Sequence, residues 1–118
     1  MILCIDDEPV GLEVRKFLLE HAGYKVLTAL SGREGLEIFS TNSVQAVVLD
    51  YAMPEMNGGE VAQEMKRRNS KVPILMLSAY VDLPDDALKH VDARALKGES
   101  PSGLLTQLNR LISSHSVL

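Results

Sequence analysis

Ala46-Val47-Val48-Leu49-Asp50, followed by Tyr51-Ala52-Met53-Pro54, is an apolar run that stops on a carboxylate and then turns. A short, continuous apolar run suits a strand buried on both faces. A polar side chain at the C-terminal end of such a strand lies in the crevice where open α/β sheets place their ligands. The pattern repeats outward from Asp50. Ile2-Leu3-Cys4-Ile5 ends in Asp6-Asp7, Pro73-Ile74-Leu75-Met76-Leu77 ends in Ser78, and a weaker run from Ala93 to Leu96 ends in Lys97. Three acids, a hydroxyl and a lysine on parallel strand tips make a site for a divalent cation and a phosphoryl group.

Helix-like segments separate these runs. Pro9 suits a first helical turn, and Val10, Val14, Phe17 and Leu18 recur at helical spacing up to Ala22, with Gly23 as a stop signal. Lys25 to Ala29 reads as a further strand. Ser31 with Glu34 predicts a capping box, opening a helix that turns Leu36 and Phe39 inward and ends near Ser40. Met53 to Asn57 has no period and contains Pro54, so it reads as a loop. A third helix from Gly58 buries Val61 and Met65 and ends on Lys66-Arg67-Arg68, a basic end that reads as a solvated face. Asp82 and Asp85 around Pro84 predict a short helix to near His90. Ser100-Pro101 is an N-cap and first-turn pair, followed by an amphipathic stripe of Leu104, Leu105, Leu108, Leu111 and Ile112. The tail from Ser113 to Leu118 is expected to fray. Strict alternation with nearly all-apolar strands predicts a parallel sheet covered on both faces, a three-layer doubly wound (βα)5 sandwich.

Composition agrees with one domain spanning residues 1–118. At 46% hydrophobic and 24% charged residues the chain is an ordinary globular sequence, long enough for a core without disulfides. A net charge of −4 disfavours nucleic acid or an anionic membrane as direct partner. No run has the length of a spanning helix and no signal peptide is visible. The one cysteine, Cys4, lies inside a strand run and reads as core. Its lack of a partner fits a reducing cytoplasm.

Adjacent carboxylates at Asp6 and Asp7, with Asp50 nearby, repel one another unless a cation neutralises them. An all-oxygen donor set suits Mg²⁺. The plainer reading has Asp6-Asp7-Glu8 capping the first helix, Asp50 as a solvated strand-end acid, Ser78 as a strand-end hydroxyl and Lys97 as an exposed lysine. Glu8 fits that plainer role. The agreement of four strand ends favours the site.

Leu3-Cys4-Ile5-Asp6-Asp7-Glu8-Pro9, Val48-Leu49-Asp50-Tyr51-Ala52-Met53-Pro54-Glu55-Met56-Asn57-Gly58, Leu77-Ser78-Ala79 and Leu96-Lys97 together resemble the receiver domain of bacterial two-component response regulators, chemotaxis-regulator-like. The resemblance implies a flavodoxin-like strand order 2-1-3-4-5. It implies Asp50 as phosphoacceptor and a sensor histidine kinase or phosphotransfer protein as donor. Mg²⁺ would be held by Asp7 directly, Asp6 through water, Asp50 and the backbone carbonyl of Ala52. Ser78 and Lys97 would bond the phosphoryl group. Output would pass through the helix 4–strand 5–helix 5 face to an output domain, a downstream protein or a phosphorylation-dependent homodimer. Catalysis would extend only to the domain's own phosphorylation and dephosphorylation.

Two positions depart from the family pattern. Arg94 stands where an aromatic switch residue is usual, and Gly98 follows the lysine in place of proline. Arg94 is expected to stay exposed, with Tyr80 the nearest aromatic, and the Lys97–Gly98 bond to be trans. Two other classes compete: an interaction module that does not cycle phosphate, and an enzyme. The intact acid, hydroxyl and lysine set opposes the first, with Arg94 in its favour. Acids after the first strand would repel a flavin phosphate, and the Asp-x-Asp pattern of aspartyl-phosphate phosphatases is absent there.

Overall fold

A computed structural model describes residues 1–114. Strands β1 (Ile2–Ile5), β2 (Val26–Ala29), β3 (Ala46–Asp50), β4 (Ile74–Ser78) and β5 (Ala93–Leu96) alternate with helices α1 (Pro9–His21), α2 (Gly32–Thr41), α3 (Gly58–Arg68), α4 (Asp85–Leu88) and α5 (Pro101–Ser114). All strand pairs are parallel, in the order β2-β1-β3-β4-β5. The predicted doubly wound sandwich and its flavodoxin-like order are therefore present. The frayed tail expected from Ser113 begins inside α5, and residues 115–118 lie outside the described residues.

Period-two alternation splits the core in two. Leu3, Ile5, Val47, Leu49 and Ile74 face α2 and α3, meeting Leu36, Phe39, Val61 and Met65. Ile2, Cys4, Val48, Leu75 and Leu77 face the other way, toward Leu12 and Leu19 of α1 and Leu108 of α5. Leu104, Leu105, Leu111 and Ile112 pack against this second layer, as the α5 stripe predicts. Cys4 is buried and free, and burial pushes its thiol up to about 12.

Several local expectations need correction. Val10, Val14 and Phe17 do not face the core. They are 72%, 64% and 71% exposed, while Leu12 and Leu19 are buried. The helix docks on the face that carries Leu12, Arg15, Lys16 and Leu19, residues three, four and seven apart. Two cations interrupt that stripe, so apolar spacing selects the opposite one.

At α2, Ser31 accepts from the Glu34 N–H at 3.1 Å, but the Glu34 carboxylate takes the Leu30 N–H rather than that of Ser31. The complete capping box lies instead at α3, between Asn57 and Glu60. Helix α4 is one turn long, because Pro84 sits before it with extended ψ and Asp82 is not its cap. At the basic end of α3, Arg67 and Arg68 are exposed, as the solvated-face reading expects, and pair with Glu64, while Lys66 is partly buried and pairs with Asp92 at 2.8 Å. Glu8 occupies the N-cap position of α1 without a side-chain capping bond.

Candidate functional site

Strand register brings the polar ends together. Ile5 is level with Leu49, Asp50 with Leu77, and Ser78 with Leu96. Asp6 therefore follows β1 beside Asp50, with Ser78 one step further along and Lys97 just past β5. Among the described residues, the buried polar or charged ones are Asp6, Asp50 and Ser78, at 0%, 3% and 4% exposure. All three belong to this one sheet edge. Burying such groups costs free energy unless each is satisfied, so a sheet that concentrates them in one place has built a site.

Asp6 uses both carboxylate oxygens. Oδ1 accepts the Glu8 N–H at 3.0 Å, and Oδ2 receives Lys97 Nζ and Arg15 Nη2, each at 3.0 Å. Lys97 Nζ also reaches Asp50 Oδ1 at 3.0 Å, so a single ammonium bridges the two acids. Burial pushes the Asp50 carboxyl up to about 6; the Lys97 hydrogen bond opposes this and the charge of Asp6 adds to it. Burial alone would also raise Asp6. The Glu8 N–H, Lys97 and Arg15 outweigh it and hold Asp6 below the ordinary carboxylate value. For Lys97, burial lowers the pKa, but its bonds to Asp50 and Asp6 win and raise it.

Asp7 is exposed at the rim. One oxygen each from Asp6, Asp7 and Asp50 fall within 4.8 Å of one another. The opening is a cavity of about 350 Å³ lined by Asp7, Glu8, Pro9, Asp50, Ala52, Ala79, Tyr80 and Lys97. Ser78 Oγ accepts the Tyr80 N–H at 2.9 Å and donates to the Tyr80 carbonyl at 3.0 Å, so its hydroxyl is held by its own loop. Tyr80 is 64% exposed and Arg94 is exposed, as expected for Arg94.

Two glycines shape the frame. A Cβ on Gly58 would lie 2.6 Å from the Asp50 carbonyl oxygen and 2.8 Å from Tyr51 Cα. Only glycine lets α3 begin that close to the end of β3. Gly98 takes φ 93°, a left-handed turn directly after Lys97, and no described peptide bond is cis. The trans Lys97–Gly98 bond agrees with expectation. The positive φ was not foreseen.

Arg15 was missed as well. The signal was the spacing of Leu12, Arg15 and Leu19, which places Arg15 on the inward face of α1 once Leu12 and Leu19 are taken as its core contacts.

The sequence model described as "Response regulator receiver domain" matches residues 2–97. Response regulator SaeR of Staphylococcus aureus is 33% identical over 115 residues, which is 95% of this chain and 50% of SaeR. The chain thus spans about half the length of the curated relatives it matches. Among solved structures, response regulator protein TrrA from Thermotoga maritima, in complex with Mg²⁺-BeF, is 32% identical with a TM-score of 0.89, covering 93% of this chain and 96% of TrrA. A response regulator receiver domain from Clostridium thermocellum is 34% identical with a TM-score of 0.88, covering 96% and 94%. TM-scores of 0.89 and 0.88 show that these solved structures share the fold of this chain. This chain belongs to the response regulator receiver domain family, the signalling domain of two-component systems.

Proposed function

We propose that Asp50 is the phosphoacceptor of a phosphorelay, taking a phosphoryl group from phosphohistidine on a sensor histidine kinase or phosphotransfer protein. The observation that carries this reading is the Lys97 ammonium bridging Asp50 and Asp6 at 3.0 Å on each side, in an otherwise buried acid pair open to solvent on one face. An Asp50 oxygen attacks phosphorus in line, the N–P bond breaks, and an acyl phosphate forms. Such transfer depends on positioning and charge neutralisation more than on covalent assistance. With a pKa of about 6, Asp50 is ionised and nucleophilic at neutral pH. Lys97 is placed to move from the carboxylate to the incoming phosphoryl oxygens. Ser78 would donate to them after leaving the Tyr80 carbonyl.

The donor set fits Mg²⁺: oxygen atoms only, clustered, with Asp7 on the wet side where coordinated waters have room. Asp7 and Asp50, with the Ala52 carbonyl, would hold the ion, and Asp6, whose oxygens are already engaged, would reach it through water. When bound, Mg²⁺ supplies neutralisation of carboxylate and phosphoryl charge.

The receiver domain would occupy residues 1–118 and act in the cytoplasm, where a phosphorelay partner would meet it. It would catalyse only its own phosphorylation and dephosphorylation. Signal would leave by the α4–β5–α5 face, to an output domain, a downstream protein or a second copy on phosphorylation. The exposed Val10-Val14-Phe17 stripe of α1 is an uncovered apolar surface of the kind that marks a protein contact. The test is incubation with acetyl phosphate or beryllofluoride and Mg²⁺, reading adduct mass and amide NMR shifts. Wild type should form one adduct. Equal uptake by Asp50→Ala would sink the assignment.

A further inference from the structure

We propose that Arg15 is a positioning residue of the acid site: it is the standing counter-cation of Asp6, which weakens divalent-ion binding and leaves Lys97 free to exchange partners. The proposal rests on the Mg²⁺-site reading above. It concerns a residue that lies outside the strand-end set.

Arg15 comes from the middle of α1, on the face that docks against the sheet. Its side chain is 13% exposed, and Nη2 lies 3.0 Å from Oδ2 of the fully buried Asp6. Nη1 is buried without a hydrogen-bond partner. The guanidinium therefore meets the same carboxylate oxygen that Lys97 Nζ reaches at 3.0 Å.

The consequence follows from the shared oxygen. Asp6 Oδ2 holds two cations, Arg15 from the helix and Lys97 from the β5 side. Lys97 divides its ammonium between Asp6 and Asp50. If Lys97 were the sole cation on Asp6, turning it toward a phosphoryl group on Asp50 would strand a buried charge, which is costly. Arg15 removes that cost. It also places a second positive charge behind three carboxylates, so the site attracts a divalent cation less than the acids alone would. At water-like dielectric, repulsion between a unit positive charge and a nearby divalent ion changes affinity by about tenfold.

The test is Mg²⁺ titration by amide NMR and calorimetry on the full chain, comparing wild type with Arg15→Met, Arg15→Lys and Asp7→Asn. Arg15→Met should bind Mg²⁺ about three- to tenfold more tightly, and Arg15→Lys should return to the wild-type Kd. Unchanged or weaker binding by a folded Arg15→Met overturns the proposal. Should that variant not fold, wild type still decides. The Arg15 guanidinium protons should remain slowly exchanging and shifted in the free, Mg²⁺-bound and Mg²⁺-beryllofluoride forms. Their collapse to the free-arginine position when Mg²⁺ binds overturns it equally. Failure of the underlying site reading looks different: wild type would show no saturable Mg²⁺ binding, or binding that Asp7→Asn leaves intact.

Discussion

Lys97 Nζ stands 3.0 Å from Asp50 Oδ1 and 3.0 Å from Asp6 Oδ2, so one ammonium closes the gap between the ends of β1 and β3. The two acids differ in what else they hold. Asp6 has Arg15 and the Glu8 N–H as further partners, whereas Lys97 is the cation bonded to Asp50.

Lys97→Met should therefore destabilise the ion-free protein by about 1–3 kcal/mol, the range for a buried polar group left unsatisfied. Mg²⁺ should recover part of that loss by binding the same acids in the folded state. Urea unfolding with and without Mg²⁺ measures both. An equal loss under the two conditions would mean that Lys97 and the ion do not share ligands.

Asp50 should make stability fall as pH rises. Its folded pKa is about 6 against an ordinary 3.8, so between those values the folded state keeps a proton that the unfolded chain has released. The contribution is present below the ordinary value and lost by the time pH passes the folded one. Asp6, held below its ordinary value, acts in the opposite sense: it stabilises above that value and loses this as pH falls. In Mg²⁺-free buffer, Asp50→Asn should flatten the decline in Tm from pH 4.5 to 6.5 and melt higher than wild type at pH 7.5. A wild-type decline that persists in Asp50→Asn assigns the slope to another group.

Gly58→Ala tests the contact between α3 and the end of β3. The added Cβ would lie 2.6 Å from the Asp50 carbonyl oxygen, against backbone on both neighbours, so the helix start must move. The expected cost is about 1–3 kcal/mol, as for other overpacked sites. Beryllofluoride uptake should weaken too, because Asp50 shifts with its carbonyl. Wild-type stability in urea would show that α3 can retreat without disturbing the strand.

The two faces of α1 should respond differently to truncation. Leu12→Ala empties a buried position and should cost about 2–5 kcal/mol. Phe17→Ser removes a ring that is 71% exposed and stacked on His21, and should change stability by no more than about 0.5 kcal/mol. Paired urea midpoints for the two variants decide this. A large loss from Phe17→Ser would place the core on the Val10-Val14-Phe17 side.

The strands, their parallel arrangement and the strand-end residues Asp6, Asp50, Ser78 and Lys97 could be read directly from the chain. Strands buried on both faces must be continuously apolar, so the point where each run breaks into a polar residue marks its end, and parallel strands put those ends on one edge. Caps and stripes were legible where a single pattern was available, as at Ser100-Pro101 and along α5. Tertiary structure decided the rest. Helix α1 carries apolar residues on opposite faces, and neither its propensity nor its spacing says which face docks; the sheet chooses Leu12 and Leu19 because they complete the layer with Ile2, Cys4 and Leu108. That choice turns Arg15, nine residues from Asp6 in sequence, onto the acid site. Strand order, in turn, lets Lys97, just past the edge strand β5, meet an acid at each of two strand ends. Charge pairing across such separations depends on how the helix is rotated and how the strands are ordered, and only packing of the whole core sets either.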